Sequence, residues 1–302
     1  MTSTRAPHGP DHDLHPYSSL PSRPKRVSPD GTTVAVVLLV YVEARELVPP
    51  KDAHRDPRFR NEFGTYEPDW RSWTTREYGN RVGIYRLLDA LDRHGFPATV
   101  PINLLAAYTH PEIVDEIRQR GWEFAAHGFS ESRMITSRLN EAEEYAYIHQ
   151  AIEGLRAATG EVIEGWLGQD AGGTERTTRL LAKAGLRYTL DWANDEEPFL
   201  HTVPGGLVSI PHPMDLDDAQ LLLFRRVPPQ RFAGLVAEAL DVLISEGRAG
   251  RVLSIGLRPW LSGQPHRIRY VREMLDAIVE RRDQVRVTTA ALIASQFLAI
   301  GS

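Results

Sequence analysis

Cysteine is absent from all 302 residues. That excludes disulfides, thiolate metal ligands and a cysteine nucleophile, and it fits a cytoplasmic protein. No apolar stretch reaches the roughly 18 residues of a transmembrane helix. The first 30 residues also lack the apolar run of about 7–15 residues that a secretory signal requires. Basic blocks longer than a few residues are missing, so neither nucleic acid nor a membrane is the expected partner. What remains is ordinary: a net charge of −5 with 25% charged residues, in a chain long enough for a sizeable core.

The polar segment 1–30 reads as a flexible N-terminal arm, and 31–302 as one domain. Thr33 to Tyr41 (TVAVVLLVY) is a continuous β-branched run, as in a strand buried on both faces. A long loop, 44–77, follows; Tyr66, Trp70 and Trp73 suggest that it packs down like a lid. Helix and strand then alternate. Asn80 to His94 reads as a helix with Val82, Tyr85, Leu88 and Leu91 on one face. Further helices are expected over Pro111–Arg120, Asn140–Ala158, Thr174–Ala184, Pro229–Ser245, Gln264–Arg281 and Ala290–Ala299. The strands between them are Ala98–Ile102, Trp122–Ala126, Val162–Trp166, Arg187–Asp191, Leu207–Ile210, Arg251–Leu257 and Val285–Val287. This alternation predicts a parallel α/β domain, either a barrel or a doubly wound sheet.

Polar residues gather at the expected strand ends: Glu43, Asn103, His127, Asp191 and Arg258, with Trp166 among them. In (β/α) barrels that is where catalytic groups collect. Each has a plainer reading. Glu43 could be an arginine's partner, His127 could bond a backbone carbonyl, and Trp166 could be core. Several at separate strand ends make a constellation.

Five stretches carry a resemblance: Arg76-Glu77-Tyr78-Gly79-Asn80-Arg81-Val82-Gly83-Ile84; Gly121-Trp122-Glu123-Phe124 leading into His127-Gly128; Gly165-Trp166-Leu167-Gly168; Asp191-Trp192; and Gly263-Gln264-Pro265-His266-Arg267. In this order they are similar to the polysaccharide-deacetylase (NodB-like) family, especially its allantoinase-like branch, over about residues 33–290. The resemblance implies a single-domain distorted (β/α) barrel and attack of water on a carbonyl bonded to nitrogen. It also exposes departures. The family's paired acids after the first strand are here only Glu43, and the second histidine of the His127 motif is Glu131. The histidine that ends the last motif strand is Arg258.

An arginine does not exchange protons near neutral pH, so Arg258 is expected to bind an anion: a substrate carboxylate or a developing oxyanion. The catalytic set expected is Glu43, His127, Asp191 and Arg258, with Asp191 orienting Arg258 or His127. Asn103, Glu131, Trp166, Trp192 and Trp260 are expected to contact substrate. The sequence demands no cofactor; were a divalent metal such as zinc bound, Glu43, His127 and Glu131 would hold it. Asp217 and Asp218 are expected to shape the rim, with His212 and His266 as structural or rim residues. The function implied is hydrolysis of a carbon–nitrogen bond in a small acidic amide, imide or ureide. Two alternatives stand beside it: a non-hydrolytic cyclisation or elimination on a carboxylated metabolite, and a silent binding protein. The branch's packing implies a homo-oligomer.

Overall fold

The computed structural model describes residues 12–25, 31–51, 53–54 and 68–301. The apolar run becomes β1 (Val34–Val40), and its neighbours explain its composition. One edge is paired throughout by β8 (Arg251–Leu257), from Val34↔Arg251 to Val40↔Leu257. The other edge is shared: β9 (Val285–Thr288) pairs with Val34 to Val37, and β2 (Thr99–Ile102) takes over at Leu39. Both faces are covered as well: Val34, Val36, Leu38 and Val40 pack into one core cluster and Val37 and Leu39 into another, which leaves little room for a polar side chain on β1. The parallel sheet continues outward through β3 (Glu123–Ala126), β4 (Gly165–Trp166), β5 (Tyr188–Thr189) and β7 (Val208–Ser209). It ends on β6 (Phe199–Leu200), antiparallel to β7.

The sheet curls. The Val252 N–H donates to the Glu196 carbonyl (2.8 Å) and the Ser254 hydroxyl to the Pro211 carbonyl (2.7 Å), tying β8 to the segments flanking the far strands. The result is a single-domain half-barrel, the distorted (β/α) barrel that the sequence led us to expect. Several outer strands are shorter than their sequence runs: Val162–Trp166 contributes only Gly165–Trp166.

Helices pack outside. α1 (Trp70–Tyr78) runs through a π-helical turn, Gly79–Gly83, into α2 (Ile84–Asp92). The apolar face expected here needs correction. Val82 and Tyr85 are 38% and 40% exposed, and the buried stripe is Ile84, Leu87, Leu88 and Leu91. Successive steps of three rotate away from one face when a turn takes about 3.6 residues, whereas an i, i+3, i+4, i+7 set stays on it. Next come α3 (Leu104–Thr109), too short to announce itself by periodicity, and α4 (Pro111–Gln119). α5 (Glu141–Thr159) opens on the expected capping box of Asn140 and Glu143. α6 (Thr177–Lys183), α7 (Phe232–Ser245), the short α8 (Pro259–Ser262), α9 (Ile268–Val279) and α10 (Ala290–Gly301) complete the set. No helix among the described residues is long and apolar enough to cross a membrane.

Part of the expected arm is laid against the domain. Thr202 donates its N–H to the Leu14 carbonyl (2.8 Å), and His15 packs on Trp192 and Phe199. Arg23 pairs with Asp195 (2.6 Å). Residues 1–11 and 26–30 lie outside the described residues, as does Tyr66 of the long loop. Of that loop's other aromatics, Trp73 donates to the Arg45 carbonyl (3.2 Å), while Trp70 is 55% exposed.

The π turn packs directly on α8, which follows Arg258. A Cβ on Gly83 would overlap the backbone carbonyl of Pro259, an atom that cannot swing aside. Gly83→Ala should therefore destabilise the fold by about 1–3 kcal/mol, read as a lowered urea midpoint.

Candidate active site

The site forms where β1, β3 and β8 end. Arg258 is the first residue after β8 and is only 8% exposed. Its Nη1 donates to Asp217 Oδ1 at 2.5 Å, and its Nε lies 3.3 Å from Glu43 Oε2. Asp218 Oδ1 stands 3.7 Å from Nη1. The guanidinium also lies over the ring of Tyr41, 4.0 Å from its centroid, a cation–π contact. Gly256 makes room for this layer, because a Cβ there would stand 2.6 Å from Asp217 Oδ2 and 3.1 Å from the Tyr41 ring.

Burial opposes every charge in this group, and mutual attraction overcomes it for some. Arg258 is held well above its ordinary range, since Asp217 and Glu43 outweigh its desolvation. Arg258 in turn outweighs burial at Glu43, aided by His127, and at Asp217, so both carboxyls sit below the usual carboxylate range. Asp218 goes the other way: burial and the neighbouring Asp217 push it up to about 7. It accepts from the Arg258 N–H (2.7 Å) and the Ser262 hydroxyl (2.6 Å).

His127 directly follows β3 and is buried. Its Nδ1 lies 2.5 Å from the Leu167 carbonyl, and Nε2 lies 3.2 Å from Glu43 Oε1. A carbonyl only accepts, so Nδ1 carries a proton. The opposite nitrogen faces the Glu43 carboxylate. The Glu43 main chain is fixed from the π turn, where Asn80 Nδ2 donates to its carbonyl (2.8 Å); π turns often mark functional sites.

His127, Arg258, Tyr41, His212 and Asp217 line a cavity of about 30 Å³ that opens partly to solvent. Asp170, Ala171 and Met214 also line it. All three hold positive φ, at 54°, 50° and 41°. Strained non-glycine backbone of this kind clusters at functional sites.

The structure brings Glu43, His127 and Arg258 together but separates the other expected residues. Asp191 does not pair with Arg258, and of the two expected partners only the charge of His127 acts on it. It accepts from the Gly168 N–H (2.5 Å) and the Thr189 hydroxyl (3.0 Å), and burial pushes it up to about 6. It shapes the turn that holds Asp170 and Ala171. Asn103 faces the main chain: Oδ1 caps α3 at the Ala106 N–H (2.9 Å), and Nδ2 donates to the Ala44 carbonyl (2.9 Å). Glu131 is buried against Arg76 (3.0 Å), which lies over Trp260. Trp166 is core at 0% exposure. Trp192 packs edge-on against His15 and His201, beside the arm. None of these lines the cavity, and Glu43 itself meets it only through His127 and Arg258.

A zinc-type site does not fit this donor set. Among the described residues no three His, Asp or Glu side chains converge as metal ligands. Glu43 is committed to Arg258 and His127, and Glu131 to Arg76.

Sequence reasoning placed Asp217 at the rim and passed over Tyr41. The available signal was the Pro-His-Pro-Met-Asp-Leu-Asp-Asp run after a strand, which puts acids beside the end of β8.

Two outcomes follow. Arg258→Met leaves two buried carboxylates without their cation and should cost about 3–5 kcal/mol near neutral pH. Because Glu43 and Asp217 titrate low when folded, that deficit should shrink in urea titrations as pH falls below about 4. Asp218 has the opposite sign: the native state keeps a proton that the unfolded chain releases above about pH 4. The stability of Asp218→Asn relative to the parent should therefore rise from pH 4 to pH 8, read as the difference in urea midpoints.

Residues 71–189 match the family model for polysaccharide deacetylase. A Schizosaccharomyces pombe protein assigned to the polysaccharide deacetylases is 26% identical over 249 residues, covering 74% of this chain and 75% of its own. The peptidoglycan deacetylase of Helicobacter pylori is 24% identical over 255 residues, 73% of this chain and 85% of its own. The crystal structure of Puue allantoinase superposes with a TM-score of 0.80 at 25% identity, over 92% of this chain and 94% of that one. The chain carries a polysaccharide-deacetylase (NodB-like) domain, a fold whose family hydrolyses carbon–nitrogen amide bonds.

Proposed function

We propose that this protein hydrolyses a carbon–nitrogen bond in a small amide, imide or ureide. The observation that carries the reading is the buried Glu43–His127 contact beside the cavity, with Arg258 holding Glu43 ionised. Glu43 and His127 work as one proton-handling pair. They take a proton from water as its oxygen attacks the carbonyl carbon, and return it to the nitrogen as the C–N bond breaks. Arg258 keeps the carboxylate charged, so that the pair can take the proton.

The cavity's small volume supports a compact reacting group, and the likeness to an allantoinase supports a ureide among the candidates. An acidic substrate loses its argument. Arg258 already faces Glu43 and Asp217, so an incoming carboxylate would have to displace one of them.

Turnover in ¹⁸O-labelled water, over a panel spanning N-acetylated glycans and cyclic ureides, tests the reading. One heavy oxygen should enter the carboxyl group formed at each turnover, and none the released nitrogen group. Glu43→Gln and His127→Ala should each lower the rate by at least about 100-fold, with thermal unfolding used to check that each variant folds. Full activity in both would overturn the assignment. Product without label would instead mark a non-hydrolytic use of the scaffold.

A further inference from the structure

His212 follows β7, has 0% exposure and lines the same cavity as His127 and Arg258. Its two nitrogens differ. Nε2 lies 3.2 Å from the Tyr41 hydroxyl and 4.0 Å from Asp217 Oδ2. Nδ1 is buried with no partner among the described residues.

The neighbours decide which nitrogen holds the proton. Asp217 is kept negative by Arg258 and stands on the Nε2 side, so its field draws the proton there. Tyr41's own hydroxyl proton is drawn to Asp217, which leaves the phenol oxygen to accept from Nε2–H. Nδ1 then keeps its lone pair: an acceptor in a buried wall. Burial outweighs Asp217 and pushes His212 down to about 4, so the ring stays neutral. A buried acceptor without a donor is costly, and a ligand N–H would relieve that cost. The rest of the wall agrees. Asp170 and Asp217 are carboxylates, and Arg258 is already engaged.

We propose that His212 Nδ1 accepts a hydrogen bond from a substrate N–H, making the site selective for an uncharged N–H-bearing group over a carboxylate. This rests on the hydrolase reading above, since it takes the cavity to be the reaction site. It makes His212 a specificity-determining residue, separate from the Glu43–His127 pair.

Hydantoin is a suitable probe, because one small ring carries amide, imide and ureide N–H groups. 1,3-Dimethylhydantoin keeps its shape and removes both donors. Calorimetry on the full chain should find hydantoin bound roughly tenfold more tightly than its dimethyl form, the size of one hydrogen bond. His212→Asn can place an acceptor near the position of Nδ1 and should keep most of that preference. His212→Gln reaches toward Tyr41 instead and should reduce it to within about twofold. Equal preference in His212→Gln and the parent would overturn the inference and leave the hydrolase reading standing, as would a parent that hydrolyses ureides but binds the two probes equally. Failure of the parent to bind either probe, together with no label uptake across the panel above, would overturn both.

Discussion

Arg258 sits at the convergence of β1, β8 and the turn after β7. Its guanidinium reaches Glu43 beyond β1 and Asp217 in that turn, while its main-chain N–H is held by Asp218. A buried cation of this kind is stable only where anions surround it. The same ion cluster therefore fixes three chain segments and holds Glu43 ionised. Structure and chemistry here rest on one electrostatic balance. Arg258 is the keystone of the strand ends.

Arginine at this position is a permanent charge, and permanent charge in a buried layer needs permanent partners. Asp217 supplies one and Glu43 the other, at 2.5 and 3.3 Å. In the proposed reaction, proton transfer falls to His127 with Glu43, and hydrogen-bond recognition to His212. Tyr41 joins these tasks, with its ring beneath Arg258 and its hydroxyl against His212.

Much of the fold was legible because strong local signals agree with the tertiary outcome. The apolar run of β1, the Arg251–Leu257 strand and the Asn140–Glu143 capping box all appear where the sequence put them. The helix face at Val82 and Tyr85 was misread, because short stretches of apolar spacing admit two phases until packing selects one. At the site, strand-end position picked out Glu43, His127 and Arg258 together. It could not distinguish a side chain facing the cavity from one tying down the main chain, as Asn103 and Asp191 do. Nor could it foresee partnerships formed across long sequence separations. Arg258 with Asp217 and Glu131 with Arg76 depend on how the sheet curls, and a one-dimensional pattern does not contain curvature.

Residues 12–25 bear on a different problem. The half-barrel leaves its antiparallel strand, Phe199–Leu200, at the rim, where unpaired main-chain groups could recruit another chain by edge-to-edge pairing. Leu14 accepts from Thr202 just past that strand, and His15 rests on Phe199. The segment before the domain thus acts as a guard rail, blunting a sticky edge with a strip of polar chain.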